Sequence, residues 1–283
     1  MTALTSSAPP LRNKYATFLI RYLPGTGRDL PIVSPRARAL QGRSQAAPLA
    51  GTELAEAYST DPFLAAKLCG VANSIFFNLD HAQLTSISEA LDRVGAEYAQ
   101  KLLASADLPG PAVAESDVLE YWAHCVTVAA LAPRIALLQK SPFGGEDTLH
   151  LLGLIHDIGF LVEVSYNPQF MPEVAEAVRG AEPDGPNSHA ALGASLSAFW
   201  SLPPLLQDAL RGHHDLRHCK TPEGQKLAAL LRLADDAAAC GCFDEAQDRR
   251  AMNLLGISKE QLTSLVPHAR EVHGALLSAE QSG

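Results

Sequence analysis

Five histidines and three acidic residues sit where a helical protein would ordinarily place apolar side chains. Glu120 and His124 are four residues apart, and Val128, Leu131 and Ile135 continue the same helical stripe. A carboxylate on a core-facing stripe is costly unless a cation compensates it. No Lys or Arg occurs between residues 116 and 133, so a metal ion or a protonated imidazole would have to do so. In LLGLIHDIGF, His156 and Asp157 interrupt an otherwise apolar run. Adjacent helical residues point about 100° apart, so both can serve one site only if it lies in a wide groove between helices. His189 starts a segment with Leu192, Leu196 and Trp200 on its side, and His213–His214 end the segment that carries Leu206 and Leu210. Asp235 shares a face with Leu227, Leu231 and Ala238.

Each residue alone has a structural alternative. A core imidazole can be satisfied by a backbone carbonyl, a terminal His pair can cap a helix, and Asp235–Asp236 can be a solvated pair. Together they form an imidazole and carboxylate set on five consecutive helical segments. That set suits Fe, Mn, Zn or Mg rather than a thiolate site, and none of the five cysteines joins it.

The elements that must position these groups read as helices. Apolar periodicity, punctuated by Pro, Gly, Asn and Asp, predicts helices over 51–59, 61–72, 84–95, 97–106, 116–138, 146–163, 169–179, 187–200, 203–213, 222–241, 246–255 and 258–278. Thr60–Asp61–Pro62, Ser86 before Glu89 and Ser258 before Gln261 carry start signals. Asn73–Ser74 can turn or cap a helix or contact a ligand. Trp200 reads as core beside a Pro-rich turn, and Leu254, Leu255, Leu262, Leu265 and Val266 as anchors that pack the C-terminal part back on the bundle.

Composition narrows the class. Apolar residues make up 47% and charged residues 19% of the 283 positions, which excludes a mainly disordered chain. No apolar run reaches transmembrane length, no secretory h-region is visible, and five scattered cysteines fit a reducing, cytoplasmic compartment. The net charge of −9 excludes a protein that coats nucleic acid over its whole surface. Charge is uneven, however: residues 1–50 carry seven basic residues and one acid. That stretch reads as a loosely ordered basic leader, with a basic arm for an acidic partner or an organellar transit peptide as alternatives. Nucleic acid could be contacted only through it.

The order His124, His156–Asp157, Asp235 on successive helices resembles the HD superfamily of metal-dependent phosphohydrolases. AYSTDPFLAAKLCGVANSIFF (57–77) and LTSISEALDRVGAEYAQKLL (84–103) are similar to two conserved stretches of HDOD domains. EYWAHCVTVAALAPRIA, LLGLIHDIGFLV, HAALGASLSAFWSLPPLLQDALRGHH and LRLADDAAA extend the likeness over roughly residues 20–245. The resemblance implies an all-α, multi-helix bundle of HD-domain type with an N-terminal helical subdomain. Its expected layout is a leader over 1–25, an HDOD-like domain over 26–245 with its HD-like core over 116–241, and a helical extension over 246–283.

HDOD domains are bacterial signalling modules, generally non-catalytic. The resemblance to HD-GYP phosphodiesterases implies metal ligands at Glu120, His124, His156, Asp157, His189, His213, His214 and Asp235, holding one or two Fe, Mn or Zn ions. Two features of those enzymes are missing. Phe160 stands where they carry Lys after HDIG, and DLRHCKTPEG follows the His pair in place of their GYP motif. The expected function is therefore a regulatory module with little or no hydrolysis, answering to a signalling protein or small ligand. The alternative is a phosphohydrolase for a cyclic dinucleotide or nucleotide, with Asp157 essential. A plain helical interaction protein is the third reading.

Overall fold

A computed structural model describes residues 32–79, 82–106, 115–139, 144–161, 189–239 and 245–281. Helices and connecting turns account for these residues, with no strand among them. The N-terminal helices are α1 (Pro35–Ser44), α2 (Gly51–Thr60), α3 (Pro62–Ala72), α4 (Ile87–Val94) and α5 (Ala96–Ser105). The central helices are α6 (Glu115–Leu137), α7 (Glu146–Ile155), α8 (His189–Phe199), α9 (Pro204–Gly212) and α10 (Pro222–Ala239). The chain closes with α11 (Glu245–Leu255), α12 (Lys259–Thr263) and α13 (Val266–Gln281). The expected all-α class holds. The leader over 1–25 and the helix expected over 169–179 lie outside the described residues.

Asp61 joins the N-terminal helices. Its carboxylate accepts from the Leu64 N–H to cap α3, and from the N–H groups of Val33 and Ser34. Ser34 in turn caps α1, with Pro35 at the first helical position. Part of the basic stretch read as a leader is therefore folded. Leu40 of α1 is buried, and Arg36 and Arg43 pair with Glu56 and Glu53 of α2. Asn73 settles as a turn residue: its amide donates to the Leu84 carbonyl and accepts from the Leu84 N–H. Trp200 is partly buried against the Phe63 ring, and Gly70 lets α3 approach its backbone.

The core helix α6 packs against α7, α10 and α13, and α3 packs against α7. Buried Val128, Leu131 and Ile135 of α6 share one continuous core with Leu149, Leu151, Leu152, Leu154 and Ile155 of α7. Two expected helices are broken. The segment read as one helix over 146–163 stops at Ile155, turns at His156–Asp157 and resumes over 158–161. The His156 imidazole takes the Gly153 carbonyl, competing with the backbone at that turn. The segment 258–278 is divided at Ser264–Leu265, just before Pro267, which has no N–H to continue a preceding helix.

Candidate metal centre

Five of the expected positions, His124, His156, His189, His213 and His214, gather round a sixth, Asp157, and Asp235 joins through His124 and His156. Asp157 Oδ2 lies 3.3 Å from His156 Nε2 and 3.8 Å from His124 Nε2. Its Oδ1 lies 2.8 Å from His189 Nε2 and 3.5 Å from His213 Nε2. The carboxylate thus faces two groups, one through each oxygen. In the first, His124 and His156 bring their Nε2 atoms to 3.2 Å, and Asp235 Oδ1 lies 3.1 Å from His124 Nε2. In the second, His189 Nε2 lies 3.3 Å from that of His213 and 3.0 Å from that of His214. His124, His156, Asp157, His189 and His213 are buried.

Glu120 is not brought in. Its side chain is 57% exposed, 3.3 Å from His273 of α13. On α6 the inward stripe runs through Tyr121 and His124 instead. Glu120 sits about 40° round the helix from His124, on the side that α13 covers.

Backbone contacts hold the rings. His156 Nδ1 meets the Gly153 carbonyl at 2.8 Å, and His213 Nδ1 meets that of Leu210 at 2.6 Å. A carbonyl only accepts, so each Nδ1 carries the hydrogen, and each ring, once its Nε2 is deprotonated, presents that lone pair to the cluster. The Tyr121 hydroxyl donates to the Asp157 carbonyl at 3.1 Å. Two glycines permit the close packing. A Cβ at Gly153 would come within 2.6 Å of Ala129 Cα, where α7 meets α6. One at Gly159 would come within 2.1 Å of the His189 carbonyl oxygen. Phe160 lies over the His189 ring, with centroids 4.4 Å apart.

The electrostatics fit a cation. Burial favours neutral Asp157 and Asp235, but neighbouring imidazoles hold both well below the usual carboxylate range. Burial pushes His156 toward neutrality, and Asp157 and Asp235 overcome it, holding its pKa well above the ordinary value. Burial, then His213 and His189, depress that of His214. The buried Asp157 carboxylate and the largely buried Asp235 carboxylate therefore draw compensating positive charge, which protons on imidazole or a metal ion can supply. Asp157 Oδ1 is buried without a well-directed hydrogen bond. Ligands about 2.0–2.2 Å from one ion stand roughly 3.0–3.6 Å apart, and the imidazole spacings lie in that range. The residues fit a metal, and two groups able to hold an ion are present among the described residues: Asp157, His189, His213 and His214, and His124, His156 and Asp157.

Two charged residues outside the expected set complete the surroundings. Arg232 of α10 donates to the His214 carbonyl and to Asp248 of α11. Asp236 is pushed up to about 9 by burial and by Asp248 and Asp235. The sequence signal for Arg232 was a lone cation in the apolar run 227–234.

A helical core with these histidines and aspartates is a domain of HD type. The HDOD domain family matches residues 30–216, well over half of the chain, and the chain belongs to that family. Asp235 and Arg232 lie beyond the matched stretch. An uncharacterized protein of Treponema pallidum (strain Nichols) is 26% identical over 207 residues, or 70% of this chain and 40% of that protein. The chain thus spans two fifths of that curated relative's length. The crystal structure of the MmoQ response regulator of Methylococcus capsulatus superposes with a TM-score of 0.62 at 21% identity, covering 84% of this chain and 98% of that one. A virulence factor of Campylobacter jejuni gives 0.62 at 16% identity, covering 92% and 96%. At these identities the likeness is one of fold. No helix among the described residues is long and apolar enough to cross a membrane.

Proposed function

We propose that this chain is a cytoplasmic regulatory HDOD module that holds one or two divalent ions and has little or no hydrolytic activity. The observation that carries the metal reading is the division of Asp157 between two buried groups. His124, His156 and Asp235 would serve one ion, His189, His213 and His214 the other, and Asp157 both. Fe, Mn and Zn suit this donor set. Such ions, when bound, can activate water and polarise a phosphoryl oxygen.

The chain's own residues argue against efficient turnover. Phosphoryl transfer needs cations at the non-bridging oxygens. Position 160 supplies a buried aromatic ring packed on His189, where the related phosphodiesterases carry Lys. The family, and the response-regulator description of one structural neighbour, support a signalling role that answers to a protein partner or small ligand. A second reading, hydrolysis of a cyclic dinucleotide, is favoured by the paired ligand groups around one carboxylate.

The test is metal analysis of untagged protein purified anaerobically, beside a His156→Ala/Asp157→Ala variant. About one or two ions per chain, lost in the variant, are expected. No metal in the wild type overturns the metal reading. Cyclic-dinucleotide turnover that disappears in Asp157→Ala establishes the hydrolase instead.

A further inference from the structure

Arg232 connects the C-terminal helices to one side of the metal centre. Its Nε donates to Asp248 Oδ1 at 2.8 Å, and its Nη1 donates to the carbonyl oxygen of His214. Asp248, on α11, is fully buried, and Asp236, one turn beyond Arg232 on α10, is 3.8 Å from Nε. His214 lies just past the end of α9, where carbonyls lack helical N–H donors. Arg232 supplies such a donor. Its planar guanidinium can hold two acceptors in fixed directions, which an ammonium does not. Asp248 aims it, and the burial of that pair makes the geometry costly to leave.

The connection is selective. His214 joins Asp157, His189 and His213, and takes no part in the group formed by His124, His156 and Asp157. Asp235 shares α10 with Arg232, but that helix is fixed independently by buried Leu227, Leu230, Leu231 and Leu233.

We propose that Arg232, aimed by Asp248, is a positioning residue that sets the divalent-ion affinity of the Asp157–His189–His213–His214 group alone. This places part of the control over the centre in α11, beyond the residues that define the family match. The inference rests on the metal reading above.

Co2+ titration, followed by its visible absorption and by bound-metal analysis, tests it in two backgrounds. In His124→Ala the second group remains complete, and in His189→Ala the first does. Arg232→Ala should weaken Co2+ binding about 10–100-fold in the His124→Ala background and leave it unchanged in the His189→Ala background. Asp248→Ala should behave the same way. Asp248→Asn keeps an acceptor oxygen and should stay near the parent. If Arg232→Ala does not fold, Asp248→Ala decides by the same comparison. An unchanged affinity in the His124→Ala background overturns the proposal, and so does an equal loss in both backgrounds, which would mean general loosening. If the unsubstituted protein binds no Co2+, the metal reading fails and this inference fails with it.

Discussion

Asp157 offers one oxygen to each set of imidazoles, so its removal and that of a single histidine should differ in kind. Asp157→Ala should empty both groups, whereas His124→Ala should leave the His189–His213–His214 side able to load. Metal-to-protein ratios in the two variants check this. Equal residual metal in both would mean that Asp157 is not shared. A neighbouring position makes a steric case. Gly159 sits so close to the His189 carbonyl that a methyl group would overlap it. Gly159→Ala must push α8 outward, at about 1–3 kcal/mol, and should reduce metal content because His189 moves with its helix. Denaturant unfolding and metal analysis together read the effect, and wild-type values for both would show that the contact relaxes freely.

At the scale of elements, the apolar-periodic helices are readable in the sequence, whereas helix interruption and the polar α1 are not. Periodicity located α6 and α10, and the Thr60–Asp61–Pro62 signal marked the start of α3. The turn at His156–Asp157 leaves no such mark, because whether an imidazole takes the carbonyl three residues back or points away leaves the apolar periodicity unchanged. α1 has no apolar periodicity because its sequence, PRARALQGRS, is polar, although Ser34–Pro35 is a start signal. Seven of the eight expected positions, legible as polar intrusions on apolar faces, lie together in the candidate centre. Glu120 lies outside the cluster because a spacing of four residues leaves room for a side chain to fall beside the groove, where it meets His273 of α13. Asp61 shows how one readable signal reaches further than its own helix. Its carboxylate serves N–H groups of Val33 and Ser34 as well as Leu64, so Asp61→Ala strands buried donors. A loss of about 2–4 kcal/mol is expected from urea unfolding. A change below about 1 kcal/mol would mean that water replaces the carboxylate.

Across the whole molecule, the candidate metal centre brings together five stretches that are separate in sequence: α6, the turn after α7, the start of α8, the end of α9, and α10. Such a cluster has little affinity for an ion once the chain unfolds, because its ligands then separate. Binding is therefore linked to global stability through the native state. Free ion at about 100 times its dissociation constant adds roughly 2.7 kcal/mol per site. For a domain of this size each kcal/mol moves the midpoint by about 2–4 °C, so a loaded site should raise it by roughly 5–10 °C. A chelator should remove that increment from the wild type, and added Mn2+ or Zn2+ should restore it in proportion to the logarithm of the free concentration. In His156→Ala/Asp157→Ala neither treatment should move the midpoint. A chelator shift of the same size in that variant would assign the effect to solvent or to another site, and the buried imidazoles would then be structural members of the core.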